Sequence, residues 1–157
     1  MTNLAPPRPA KIISGGQTGV DRGALKAAMT LGIPHGGWCP RGRLAEDGVI
    51  PACYELSETD SPEYLVRTER NVLESDATLI LSRGALSGGT ELTARLARQY
   101  RRPLMVIDLA QPPQRQEVRG WLREHEVRTV NVAGPRESQC PGIAAEAEAF
   151  LRELFAP

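Results

Sequence analysis

Two glycine-rich segments of the sequence have the composition of a phosphate-binding site. They consist of Ser14, Gly15, Gly16, Gln17, Thr18 and Gly19, and of Ser87, Gly88, Gly89, Thr90 and Glu91. Glycine lets the backbone approach a ligand closely, and the helix predicted after each segment offers N–H groups that attract anions. Neither segment has the G-x-G-x-x-G dinucleotide pattern or the Gly-Lys-Ser/Thr of a P-loop. We therefore predict a phosphate cradle unlike those of common NAD and ATP enzymes.

Arginine side chains could supply the counter-charge for such an anion. Of the nineteen basic residues only Lys11 and Lys26 are lysines, and the guanidinium fork suits phosphate and carboxylate groups. A GC-rich genome would produce the same arginine excess. The candidates for ligand contact are Arg22, Arg41, Arg67 and Arg136, with Asn71 and Ser138 as polar neighbours. An anion at the start of the first helix would explain Arg22, and so would an acidic partner.

Acidic residues near the glycine segments could position a sugar, an amine or a water molecule. Asp21, Asp47 and Glu91 are the candidates, although the helix dipole favours an acid in the position of Glu91 without any function. No metal site is predicted, because the three cysteines have neither zinc spacing nor the even count of a disulfide framework. The interpretation of Cys39 as a small buried side chain is favoured over a metal ligand.

The elements between these segments predict a Rossmann-like three-layer α/β/α domain with a mostly parallel five-stranded sheet. Short apolar strands are expected at 11–14, 35–39, 77–82, 104–109 and 129–133, and helical spacing connects them. Every strand-to-helix loop of a parallel sheet emerges at the carboxyl edge, where ligands bind. Both glycine segments and the arginine loops are therefore expected at one crevice.

The remaining segments are less regular. Residues 40–60 form a long polar stretch, suited to a lid or an oligomer contact. Ser61 and Pro62 predict the N-cap and first position of a helix. Residues 1–10 are predicted to be a flexible arm, and residues 11–157 a single ligand-binding domain.

Composition excludes several classes of protein. The net charge of zero argues against general nucleic-acid binding. No apolar run approaches the ~20 residues of a membrane span. Unpaired cysteines and a first segment without the apolar centre of a signal peptide predict a cytoplasmic protein.

The sequence also resembles a known family, the molybdenum carrier proteins. These form a circularly permuted YpsA-like branch of the nucleotide-binding SLOG superfamily. The resemblance covers about residues 11–155 and rests on segments 14–24, 46–50, 67–68, 71–72, 75–78, 88–90 and 131–138.

This resemblance implies a Rossmann-like fold and a homo-oligomer, either a dimer or a tetramer. It implies binding of the molybdenum cofactor, a pterin that carries a phosphate and a dithiolene-held metal, with molybdoenzymes as recipients. The first glycine segment, the turn of Gly88, Gly89 and Thr90, and the loop of Arg136 are the positions that it marks as ligand-binding.

A related branch of the superfamily cleaves nucleoside monophosphates with a P-G-G-x-G-T-x-x-E motif. Here Ser87 replaces the proline, one glycine is absent, and Glu91 directly follows the threonine. A carboxylate at that position points in another direction from the helix, so the resemblance does not extend to this activity.

Three hypotheses follow. A carrier of a phosphorylated heterocycle without catalysis is favoured. The alternatives are a nucleotide sensor and a nucleoside-monophosphate hydrolase with Glu91 or Asp21 as the acid–base group.

Overall fold

The computed structural model describes residues 8–157, so most of the predicted arm at 1–10 lies outside the described residues. The helices are α1 (Val20–Leu31), α2 (Tyr64–Leu73), α3 (Gly88–Gln99), α4 (Arg115–Glu124) and α5 (Ile143–Leu154). The strands are β1 (Lys11–Ile13), β2 (His35–Gly36), β3 (Trp38–Cys39), β4 (Leu44–Ala45), β5 (Gly48–Val49), β6 (Ser57–Glu58), β7 (Ala77–Ser82), β8 (Leu104–Asp108) and β9 (Thr129–Ala133). No helix within 8–157 has the length and apolar character needed to span a bilayer.

The main sheet has the strand order β2-β1-β9-β7-β8, and all its pairs are parallel. Side chains alternate between its faces, so Leu79 and Leu81 of β7 pack with residues of α1, α4 and α5. A separate cluster joins α2 and α3 through Val72, Leu96 and Ala97. The predicted Rossmann-like α/β fold is confirmed.

Helix α1 shows how local sequence can predict a helix. Its apolar stripe, Val20, Ala24, Ala27 and Ala28, is fully buried. The helix ends at Gly32, whose φ of 70° is left-handed and whose N–H bonds to carbonyls of the last turn. Spacing and the terminal glycine are both visible in the sequence, and the structure has the helix that was predicted after the first glycine segment.

The prediction of one strand at 35–39 is wrong in part, because the segment is divided at Gly37 into the strands β2 and β3. This residue has φ of 123°, and a side chain there would lie 2.2 Å from the carbonyl oxygen of Ser14. The two halves consequently join different sheets, since β2 pairs with β1 and β3 pairs with β6. A close crossing over the end of β1 requires glycine at this point.

Helix α2 begins at Tyr64, so the prediction of Ser61 as its N-cap is also wrong. The Ser61 hydroxyl accepts the Glu63 N–H at 3.1 Å, while the Ser61 carbonyl accepts the N–H of Arg41 and the hydroxyl of Thr59. These bonds make Ser61 a turn residue before the helix.

Hydrogen bonds from one arginine hold the second half of the stretch 40–60 together. Arg43 donates to the carbonyls of Ile50, Pro51, Tyr54 and Leu56. Within this stretch, strands β4 and β5 form a small antiparallel hairpin, residues 44–49. We call it the 44–49 hairpin; it lies against the loops described next.

Candidate functional site

A cleft lies at the carboxyl edge of the sheet, where β1, β9 and β7 end. It encloses about 80 Å³, several times the roughly 10–15 Å³ that one water molecule needs. The connection after β1 leads to β2 on one side and the connection after β7 leads to β8 on the other, and such a divergence is the usual ligand position in parallel sheets. The lining residues are Gly15, Gln17, Asp21, Tyr64, Arg67, Thr68, Asn71, Gly89, Thr90, Leu92, Thr93, Asn131, Val132, Ala133, Gly134, Arg136 and Gln139.

Seven of the sequence-predicted ligand contacts lie in this lining. Both glycine segments contribute, and so do helix α2 and the loop after β9, although each supplies only part of the predicted set. The seven are Gly15, Gln17, Arg67, Asn71, Gly89, Thr90 and Arg136. Sequence reasoning therefore placed these seven residues at the edge of the sheet where the cleft opens.

The start of α1, predicted as an anion site, is covered by protein. The Val20 N–H donates to the Pro135 carbonyl at 3.2 Å. A side chain at Gly19 would lie 2.2 Å from that carbonyl oxygen, and one at Gly16 would lie 2.6 Å from Leu56. Gly16 and Gly19 therefore allow close packing and lie outside the cleft lining.

The other predicted contacts outside the lining have roles within the protein or are exposed. Ser14 donates to the Val132 carbonyl at 2.7 Å. Thr18, Arg22 and Ser138 hold the 44–49 hairpin, as described below. Exposed positions are taken by Arg41, Ser87, Gly88 and Glu91. The position of Glu91 gives no support to its assignment as the acid–base group of a hydrolase.

Arg67 is the buried cation of the cleft. Only 8% of the residue is exposed. Its Nη1 donates to the Gly15 carbonyl at 2.7 Å and lies 3.9 Å from Asp21 Oδ2. Burial raises the pKa of Asp21, and the nearby guanidinium opposes that rise. Arg67 therefore both positions the first glycine segment and offsets a buried carboxylate.

Arg136 is the second cation and lies at the mouth of the cleft. Its guanidinium carbon is 5.0 Å from the centre of the Tyr64 ring, and that of Arg67 is 5.2 Å from the same ring. Within residues 8–157, no carboxylate lies within 4 Å of Arg136. A half-buried guanidinium stacked on an aromatic ring in this way is available to an anion.

Helix α3 presents its first turn to the cleft. Gly89 and Thr90 line the wall, and a methyl group at Gly89 would have no heavy atom within 4 Å. The Thr90 and Glu91 N–H groups donate to the Ser87 carbonyl, at 3.2 and 3.3 Å, which leaves the N–H groups of Gly88 and Gly89 at the positive end of the helix dipole. This helix start, unlike that of α1, is open to a ligand.

Asn71 has a positioning role. It accepts the N–H of Trp38 at 2.8 Å and donates to the carbonyl of the same residue at 2.9 Å. These two bonds fix β3 against α2. The buried position of Asn71 contrasts with the solvated helix face that is usual for such a side chain.

Sequence reasoning missed several lining residues. Tyr64, Thr68 and Thr93 carry no chemical signature in the sequence, although Tyr64 shares a helix face with Arg67, Thr68 and Asn71. Asn131 gave a detectable signal, because an amide in a predicted apolar strand needs a partner. That partner is the Thr78 hydroxyl, at 3.2 Å.

Two carboxylates fasten the 44–49 hairpin over the first glycine segment. Glu46 accepts hydrogen bonds from Thr18 Oγ1 and from the backbone and hydroxyl of Ser138. Asp47 pairs with both terminal nitrogens of Arg22, at 2.7 Å for Nη2. The Nε of Arg22 donates to the Gly16 carbonyl at 3.1 Å. Arg22 therefore has an acidic partner, one of the two explanations that the sequence left open.

We expect this fastening to be lost in acid. Hydrogen bonds from Ser138 and Thr18 lower the pKa of Glu46, and the Arg22 guanidinium lowers that of Asp47. A lowered folded-state pKa gives stability that is complete above the ordinary values of 4.5 and 3.8 and is lost as pH falls through the folded pKa. Glu46→Gln should therefore lower the urea midpoint at pH 7, and this deficit should be smaller at pH 3.

The matched control for that prediction is Glu124→Gln, in which an exposed carboxylate of α4 is replaced. It should leave the urea midpoint unchanged at both pH values. An equal deficit of Glu46→Gln at pH 7 and pH 3 would contradict the role given to its charge.

Comparison with known proteins is informative at the level of family and fold. The sequence model described as the circularly permutated YpsA SLOG family matches residues 12–155. The chain is 45% identical to a protein of Syntrophus aciditrophicus SB whose crystal structure is described as that of a "putative molybdenum carrier protein". The TM-score is 0.91, over 96% of this chain and 97% of the other. No curated protein matches the chain.

Proposed function

Because the chain belongs to the circularly permutated YpsA SLOG family, we propose that it is a binding protein whose cleft holds the phosphate of a heterocyclic ligand. The ligand proposed is the molybdenum cofactor, which the protein would store or pass to molybdoenzymes, acting as a homo-oligomer. The name of the Syntrophus protein agrees with this proposal.

The observation that carries the proposal is the set of donors on one cleft. The open first turn of α3 at Gly89 lies on the same cavity as the guanidinium groups of Arg67 and Arg136. Backbone N–H groups, a helix dipole and two arginines together form the kind of donor set that binds a phosphate group. Asp21, the one carboxylate among the cleft residues within 8–157, is offset by Arg67.

The other features of the cofactor also suit the cleft. The guanidinium groups of Arg136 and Arg67 lie over the Tyr64 ring, at 5.0 and 5.2 Å from its centre, so a pterin would stack on a guanidinium plane rather than on the ring. Among residues 8–157, no cysteine or histidine belongs to the lining, and those side chains are the usual soft-metal ligands. The metal would thus remain on the dithiolene sulfurs of the pterin.

Gly89→Ala tests the phosphate site without disturbing the fold. The added methyl group meets no protein atom within 4 Å, so it should fill space that the ligand needs. We expect the protein from a cofactor-producing host to yield the fluorescent oxidised pterin, and Gly89→Ala to yield about tenfold less. Inorganic phosphate and added cofactor should each raise the melting temperature of the wild type. A ligand at 100 times its dissociation constant should raise the free energy of unfolding by about 2.7 kcal/mol.

The control is Gly120→Ala, which places the same methyl group in α4 with nothing within 4 Å and away from the cleft. It should retain the wild-type pterin content and gain about 0.5–1 kcal/mol, the usual difference between glycine and alanine inside a helix. Absence of pterin, together with no response to added cofactor, would rule out the carrier function. A response to nucleotides alone would favour the sensor hypothesis.

A further inference from the structure

One end of the cleft carries a negative charge, unlike the end that we propose for phosphate. Asp21 is the only carboxylate among the lining residues within 8–157, and 7% of it is exposed. A carboxylate repels phosphate, so its place on a phosphate-binding cleft needs a reason. Asp21 lies far enough from the phosphate site at α3 to contact another part of the same ligand, because β9 lies between β1 and β7. Two strand spacings place the α1 and α3 ends of the cleft about 10 Å apart.

The acceptor capacity of Asp21 is only partly used, since the Gln17 N–H donates to it and the nearby Gly15 N–H and Ser14 hydroxyl also favour its ionised form. An ionised carboxylate offers about four lone-pair sites. Oδ2 accepts the Gln17 N–H at 3.2 Å, and the Arg67 Nη1 stays 3.9 Å away because it donates to the Gly15 carbonyl instead. Buried carboxylates are normally paired and fully hydrogen-bonded. Asp21 can therefore accept further hydrogen bonds from a ligand.

A neighbouring amide lacks the opposite kind of partner. Gln17 is 5% exposed, and its Oε1 accepts the N–H groups of Thr18 and Glu46, at 3.1 and 2.9 Å. These two bonds fix which side-chain atom is oxygen. Its Nε2 is buried and has no hydrogen-bond partner within residues 8–157. Leaving such a donor without an acceptor is costly, and Gln17 belongs to the same cleft lining as Asp21.

From this pair we infer that Asp21 and Gln17 recognise the 2-amino-4-oxo-pyrimidine edge of the ligand, the edge that guanine and pterins share. The ring N–H and the 2-amino group of that edge donate to the carboxylate, and its carbonyl oxygen accepts from Gln17 Nε2. Adenine presents a ring nitrogen acceptor and an amino group instead, so it pairs poorly with both residues. The inference rests on the proposed function, since the phosphate of the same ligand occupies the α3 end.

Three nucleotides with the same phosphate test the edge directly. GMP has the complete edge, IMP lacks the 2-amino group, and AMP has neither the ring N–H nor the carbonyl. Calorimetry should show that GMP binds most tightly, IMP less tightly and AMP least. The affinities of GMP and AMP should differ by at least about tenfold, which is the effect of losing one charge-assisted hydrogen bond. Inorganic phosphate serves as the probe of the α3 end alone.

Two variants assign the preference to its residues. Asp21→Asn should reduce the GMP-to-AMP ratio to near one while inorganic phosphate still binds. Gln17→Glu keeps the acceptor oxygen and removes the donor, so it should weaken the binding of GMP and strengthen the binding of AMP. This variant tests the inference even if Asp21→Asn fails to fold. Glu91→Gln, at an exposed position outside the lining, should leave the ratio unchanged.

The outcomes separate this inference from the proposed function. If phosphate and all three nucleotides fail to bind the wild-type protein, the proposed function is wrong. If phosphate binds and the nucleotides bind with equal affinity, the phosphate site stands and the role of Asp21 and Gln17 is refuted. A preference for GMP that survives both cleft variants would refute it as well.

Discussion

Replacing Arg67 by methionine is expected to lower the free energy of unfolding by about 3–5 kcal/mol, because removal of one member of a buried ion pair leaves the other uncompensated. The partner is Asp21, and both residues are less than one-tenth exposed. The substitution also removes the hydrogen bond to the Gly15 carbonyl and a phosphate-binding cation. Urea unfolding and phosphate titration should therefore both change.

The pH dependence of this deficit identifies its cause. Burial already raises the pKa of Asp21, and Arg67 opposes that rise. Without the guanidinium, the folded protein binds the Asp21 proton more tightly still, so ionisation above the folded pKa costs stability. The deficit of Arg67→Met should therefore narrow as pH falls toward 4. Neutralising both members with Asp21→Asn should recover part of the loss at pH 7.

Arg70→Met is the matched control on the same helix. The Arg70 side chain is 48% exposed, lies 3.9 Å from Glu74 and stacks 4.2 Å from the Trp38 ring. Exposed pairs and exposed cation–π contacts contribute about 1 kcal/mol or less. If Arg70→Met lowers the free energy of unfolding as much as Arg67→Met does, the loss of stability comes from replacing a long arginine side chain and not from a buried charge.

Gly134→Ala is the second substitution with a large expected effect. A methyl group there would lie 2.2 Å from the Leu81 carbonyl oxygen and 2.5 Å from Val20 Cγ2. Because the first of these atoms is backbone of the adjacent strand β7, it cannot move without separating β7 from β9. Overpacking usually costs about 1–3 kcal/mol, and we expect a value at or above the upper end, measured by urea unfolding.

The same substitution at Gly89 serves as the control for Gly134→Ala. Both glycines line the cleft, yet only Gly134 has protein atoms in the way. Gly89→Ala should retain wild-type stability and lose ligand, whereas Gly134→Ala should lose stability first. Equal stability of the two variants would contradict the close contact between β9 and β7 at this point.

The fold was predictable because its signals are local. Helix α1 (Val20–Leu31), which ends before Gly32, and the buried strand β7 follow from helical spacing, a terminal glycine and a continuous apolar run. Parallel topology then places every strand-to-helix loop at one edge. That argument brought Gly15, Gln17, Gly89, Thr90 and Arg136 to the cleft without any knowledge of their contacts.

Residue type and spacing alone thus determined the α/β architecture, the edge at which the cleft opens, and the glycine and arginine groups available to it. Tertiary structure decided which helix start is open. Gly19 and Gly89 look equivalent in the sequence, but the Pro135 carbonyl covers the first and no atom covers the second. It also decided that Asp21 faces Arg67, and that Glu46 holds Ser138, 92 residues away along the chain. Such pairings depend on how distant segments pack, and short-range patterns carry no information about them.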